Sequence, residues 1–217
     1  MSQNKINSEY LENSLDLTNR TTLSLTINFD EEDYLHKISS ILDKNPNLVD
    51  LLLLLDNPND QQFSEVGSIL TKCKNLTSLS VDILTTDDAI ESGAYGFSSA
   101  LANCPNLKNF EFIICEESSI FSDEGASGLC SGLSECPNLT SVKLKFTGDG
   151  GGNFTEQGAA GLGQGLANCK NLKTLSLDIS YCYIQCQEGI SKLGRGLGSC
   201  ANLTNLNLNI EQIYFFA

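Results

Sequence analysis

Residues 125–145 read GASGLCSGLSECPNLTSVKLK, and the second half of this stretch decides the fold. Its tail is Cys136-Pro-Asn-Leu139-x-x-Val142-x-Leu144, and the same tail recurs along the chain. It returns as Cys73-x-Asn-Leu76-x-x-Leu79-x-Val81 and as Cys104-x-Asn-Leu107-x-x-Phe110-x-Phe112. Two further copies are Cys169-x-Asn-Leu172-x-x-Leu175-x-Leu177 and Cys200-x-Asn-Leu203-x-x-Leu206-x-Leu208. An earlier copy has Asn45 in the Cys place, ahead of Leu48, Leu51 and Leu53; a degenerate first copy has Arg20, Leu23 and Leu25. Successive anchors (Arg20, Leu48, Leu76, Leu107, Leu139, Leu172, Leu203) are 28, 28, 31, 32, 33 and 31 residues apart. A fixed motif at that period marks a solenoid of about seven units.

Each copy predicts a short strand with one apolar face. The next alternate position is apolar in every copy: Ile27, Leu55, Ile83, Ile114, Phe146, Ile179 and Ile210. A helical pattern precedes each strand from the second copy on. Apolar residues fall three, seven and ten positions before the Cys place, as in Leu133, Leu129 and Ala126, or Leu166, Leu162 and Ala159. That spacing puts one apolar stripe on a helix. A single strand–helix unit cannot bury its own face, so neighbours must stack.

This pattern resembles the leucine-rich repeat family, of the long, cysteine-containing, ribonuclease-inhibitor-like kind. The resemblance spans residues 18–212. It implies an α/β fold: a right-handed, curved solenoid with parallel strands on the concave face and helices on the convex face. It also implies a non-catalytic scaffold or adaptor that binds a protein on the strand face. The alternatives are a structural subunit of a larger assembly, or the repeat segment of a kinase- or F-box-linked regulatory protein. The Asn that usually follows the strand in that family is not kept; Leu84, Cys115, Thr147 and Ser180 stand there.

The chain has 217 residues, with 27 acidic and 13 basic side chains and a net charge of −14. It divides into a polar N-terminal tail or cap, 1–17, and a repeat domain, 18–217. The acidic balance argues against nucleic acid and anionic membranes as partners. Residues 1–20 have no apolar signal-peptide core, and the apolar run 51–55 is too short to span a bilayer. The nine cysteines, five at one repeat position, are therefore expected to be buried free thiols in a reducing, cytoplasmic setting. The Asn of each junction, which in three copies opens an Asn-Leu-Thr sequon, is expected to serve backbone groups where the strand begins.

Catalytic, cofactor and metal readings find little support. The one histidine, His36, sits between Leu35 and Lys37 on the first helix and reads as a helix-flank residue. Gly148-Asp-Gly-Gly-Gly152 lacks the Gly-Lys-Ser/Thr ending of a phosphate loop, and Gly161, Gly163 and Gly165 lie inside a repeat helix. Those glycines are expected to let helices pack closely. Cys182 and Cys186 lack partner ligands. No cofactor is expected, and the chain is not expected to be an enzyme.

The outward strand positions follow from the two-residue period of a strand. The partner-binding candidates among them are Ser78, Ser80, Asp82, Asn109, Glu111, Ser141, Lys143, Lys145, Thr174, Ser176 and Asp178. Lys143 and Lys145 are the basic spot, flanked by Glu111 and Asp178; they read either as cross-strand charge pairs or as a recognition centre. Leu52 and Leu54 break the polar pattern, either tucked beneath the N-terminal segment or left as a sticky spot. At the other end Ile213, Tyr214, Phe215 and Phe216 either fold back over the last strand, meet another chain, or continue into further repeats.

Overall fold

The structure is a computed structural model that describes residues 5–7, 18–29, 33–85, 92–114, 122–146, 155–180 and 187–210. Acidic residues 30–32, loops 115–121 and 147–154, Cys182, Cys186, Ile213, Tyr214, Phe215 and Phe216 lie outside the described residues.

Seven strands carry the repeated motif: β2 (Thr22–Asn28), β3 (Asp50–Asp56), β4 (Ser78–Thr85), β5 (Asn109–Ile114), β6 (Ser141–Phe146), β7 (Thr174–Asp178) and β8 (Asn205–Asn209). A short strand, β1 (Lys5–Asn7), precedes them in the polar leader and pairs with Ser24–Thr26. All eight form one sheet in chain order, every pair parallel. Between them run α1 (Tyr34–Asp43), α2 (Asp60–Leu70), α3 (Ser92–Leu101), α4 (Asp123–Leu133), α5 (Glu156–Ala167) and α6 (Gln187–Gly198). Each helix packs on the next in sequence. The result is a leucine-rich-repeat-type solenoid with strands in one layer and helices in the other.

The core is one continuous cluster. The inward strand residues, such as Leu79, Val81 and Ile83, meet the helix stripes, such as Leu70, Val66 and Phe63. Aromatic rings fill its centre: Phe63 stacks on Phe97 with centroids 4.4 Å apart, and Phe110, Phe112 and Phe146 continue the cluster through tilted and stacked contacts. Helix starts are fixed by side chains. Asn59 and Gln62 form a reciprocal capping box on α2, and Ser122 accepts from the Gly125 N–H on α4.

Units are joined at the helix-to-strand junction by two repeated bonds. The junction Asn of each unit donates its amide to a carbonyl of the unit before: Asn75 to Pro46, Asn106 to Lys74, Asn138 to Pro105, Asn171 to Pro137 and Asn202 to Lys170. Two successive backbone N–H groups then share one carbonyl of the preceding unit. Thr77 and Ser78 share Val49, Lys108 and Asn109 share Thr77, and Thr140 and Ser141 share Lys108. The backbone role expected of the repeated Asn is therefore met by a bond to the neighbouring unit. Where Asn45 replaces Cys, its side chain accepts from the Arg20 N–H and donates to the Ile41 carbonyl.

Close helix packing rests on small residues. A Cβ at Gly132 of α4 would lie 2.5 Å from the Ser99 nitrogen of α3; one at Gly165 would lie 2.5 Å from Cβ of Cys130; one at Gly196 would lie 2.3 Å from the Gly163 carbonyl carbon. These three glycines hold the same place, four residues before the junction Cys. Carboxylates add a second tie between helix starts. Asp123 accepts from the Thr155 N–H and hydroxyl, both at 2.6 Å, and from the Gly158 N–H at 2.7 Å. Asp60 does the same for Ser92 and Gly93. A negative charge there faces the positive end of the next helix.

Candidate functional site

The register turns the outward strand positions into three columns across the sheet. The first runs Thr22, Asp50, Ser78, Asn109, Ser141, Thr174, Asn205. The second runs Ser24, Leu52, Ser80, Glu111, Lys143, Ser176, Asn207; the third runs Thr26, Leu54, Asp82, Ile113, Lys145, Asp178, Asn209. The structure thus brings all eleven sequence-derived candidates onto one face.

The basic spot resolves unequally. Lys143 Nζ meets Glu111 Oε1 at 2.5 Å, a cross-strand ion pair between register partners. Lys145 stands opposite Asp178 in register, yet among the described residues it has no ion-pair partner. Asp178 instead accepts from the N–H and hydroxyl of Ser180, at 3.1 and 2.6 Å, closing its own turn. That turn chemistry was readable in Asp178-Ile-Ser180, two residues apart. An open groove of about 520 Å³ lies beside this spot, between the outward side chains of Lys143, Lys145, Ser176, Asp178, Asn207 and Asn209.

The opposite end of the face differs. Leu54 is only 7 % exposed and Ser24 only 8 %, although both point away from the helix layer. Ser24 Oγ, Thr26 Oγ1 and one Asp82 carboxylate oxygen are buried there without a hydrogen-bond partner. Burial beside Leu54 and Ile113, and then the nearby Glu111, push the Asp82 carboxyl above its ordinary range, while Lys143 pulls the other way. Sequence reasoning reached Asp82 as a face residue but not its orphaned oxygen, which depends on its neighbours.

The five junction cysteines line up at the helix-to-strand turns, all buried and free. Burial pushes the thiols of Cys73, Cys136 and Cys169 up to about 12 and that of Cys104 to about 11. Thiols so held are poor nucleophiles and poor ligands. Among the described residues no three His, Cys, Asp or Glu side chains group as a metal site, and no helix is long and apolar enough to cross a membrane. His36 is exposed on α1.

No protein-family model matches the sequence, and no curated protein is similar to it. Among solved structures, the chain is similar to one titled as the crystal structure of a TLR13–ssRNA13 complex, at 18 % identity and a TM-score of 0.41. That alignment covers 90 % of this chain and 26 % of the other, so the chain spans about a quarter of its length. The fold rests on the strand register and the junction bonds described above.

Proposed function

We propose that this protein is a non-catalytic interaction scaffold that binds a protein partner on the outer strand face. Repeat solenoids of this type commonly serve as binding scaffolds, and the step from fold to function is an analogy. The observation that carries the reading is the continuity of the three outward columns over β2–β8, mostly small and polar, on a backbone locked by paired junction bonds. The binding centre is the stretch from Asp82 to Lys145. It holds Lys145, which has no ion-pair partner among the described residues, two strands from Asp82 with Ile113 between them. A partner carboxylate on this face would pair with the Lys145 ammonium. The partner set is protein, with no nucleic acid, membrane or cofactor, and the setting is cytoplasmic.

A pull-down from native extract, read by mass spectrometry, tests this with wild type beside Lys143→Glu/Lys145→Glu. We expect specific proteins to be lost only in the double variant. Equal recovery by both would overturn the placement of the site. A second reading, a structural subunit held through its C-terminal end, is favoured by one observation: the inward residues of β8 are not covered as those of other strands are.

A further inference from the structure

We propose that the edge of the solenoid formed by the helix-to-strand junctions is a second interaction surface, one that takes an acidic, extended segment of a partner protein. It is separate from the strand face and does not rest on the reading of that face.

Charge in this chain is sorted by edge. The six helix-to-strand connections, 44–49, 71–77, 102–108, 134–140, 168–173 and 199–204, carry six lysines and one acid, Glu135. In sequence, the six strand-to-helix connections, 29–33, 57–59, 86–91, 115–122, 147–155 and 179–186, carry ten acids and no basic residue. A chain of net charge −14 thus has one positive edge. All six lysines are exposed. Cations suit helix C-termini, and two of the six are used locally. Lys72 pairs with Asp43 at 3.0 Å, and Lys74 donates to the Asn103 carbonyl at 3.2 Å. Lys44, Lys108, Lys170 and Lys173 have no ion-pair partner among the described residues.

The backbone of this edge favours the same sign of partner. Its carbonyls, which would repel an anion, are already engaged. Val49, Thr77, Lys108, Thr140 and Lys173 each accept two N–H groups of the next unit. Pro46, Lys74, Pro105, Pro137 and Lys170 each accept a junction Asn amide. The edge therefore offers a visitor ammonium donors and few open acceptors.

The register sets the spacing. Lys108 and Lys173 hold the same place, immediately before Asn109 and Thr174, with Thr140 between them. Thr140 turns its hydroxyl to the Lys108 carbonyl, as Thr204 does to that of Lys173, so the free charges of the row are the two lysines. Neighbouring strands lie about 4.8 Å apart, which puts these residues about 10 Å apart; an extended chain covers that in about three residues. Carboxylates three residues apart on a peptide running across the strands can meet both, with Lys170 in the same junction as Lys173. A duplex nucleic acid or an anionic membrane needs a broad positive surface, and this edge is a narrow one on an otherwise acidic chain.

Fluorescence anisotropy of the full chain, with a labelled peptide carrying Glu at every third residue in about 0.15 M salt, tests the proposal. We expect saturable binding that weakens as salt rises, and a loss of about tenfold in Lys108→Glu/Lys173→Glu. Melting of that variant should match the wild type, since neither lysine holds an ion pair. Lys108→Gln/Lys173→Gln should lose less than the charge reversal does. No binding by the wild type, or equal binding by wild type and both variants, would overturn the proposal. So would a loss confined to Lys143→Glu/Lys145→Glu, which places the acidic segment on the strand face. Duplex RNA or phosphatidylserine vesicles bound as tightly as the peptide would also overturn it, because the edge would then take any polyanion.

Discussion

Cys73, Cys104, Cys136 and Cys169 show how one residue type at one place shapes the response to pH. Their thiols ordinarily ionise near 9.0, and burial in the folded chain moves them to about 11 or 12. The unfolded chain therefore loses these protons first as pH rises. The stability tied to the protonated thiols is complete below about 9 and drains away between about 9 and 12, each group costing up to about 1.4 kcal/mol per pH unit. Urea midpoints measured across that window should fall, and fall less steeply in Cys136→Ala/Cys169→Ala. A parallel decline in the variant would mean that other groups govern alkaline unfolding. At this scale the sequence was informative where a residue repeats. Five Cys and five Asn at fixed places announced burial and a backbone bond. It was uninformative where the outcome turns on a choice between neighbours. The sequence offered both a cross-strand pair and an Asp178–Ser180 turn, and only the packed face decides that Lys143 holds Glu111 while Asp178 accepts from Ser180.

Helices in this chain are joined by what they lack. Gly132 admits the Ser99 backbone, and any side chain there must push two helices apart. Gly132→Leu should therefore destabilise the fold by more than about 2 kcal/mol, by overpacking of a tight seam. Chemical denaturation measures the loss; a cost below about 0.5 kcal/mol would show that the seam yields. The glycines were visible in sequence and were expected to allow close packing. Their pairing across units, four before one junction against six before the previous one, needed the helices in place. The carboxylate ties from Asp60 and Asp123 to the next helix were not foreseen. Their sequence trace was a single acid at the first position of each helix, which also fits simple capping. β1 had no trace at all: three residues in a polar leader carry too little pattern to read as a strand.

For the whole molecule, stability is a sum over units and their contacts with two neighbours. Among the described residues β8 is paired on one side only. Hydrogen exchange should follow that order. Amides of β4, β5 and β6, which lie over the stacked phenylalanines, should be the slowest. Those of β8, whose leucines are half exposed, should be among the fastest in dilute protein. Uniform protection across all seven motif strands would contradict a linear assembly. The architecture was legible from the sequence because seven copies repeat one pattern. What each end does was not legible, because an end is where the repetition stops supplying the answer. Leu54 illustrates this: it is buried on the outer face, whereas Lys145 and Asp178, which share its column, are half-buried.

The doubly used junction carbonyls reach beyond stability. Seven residues separate Leu70 from Ser78, Leu101 from Asn109 and Leu133 from Ser141, and six separate Ala167 from Thr174 and Gly198 from Asn205. On the opposite edge of the solenoid the connections are free to differ: three residues separate Asp56 from Asp60, and nine separate Phe146 from Glu156. One edge works as a ruler and the other as a margin. New chain length, whether an inherited insertion or an engineered tag, can be absorbed on the margin without moving a single strand. One extra residue on the ruler would put every later unit out of step with the bonds that hold it.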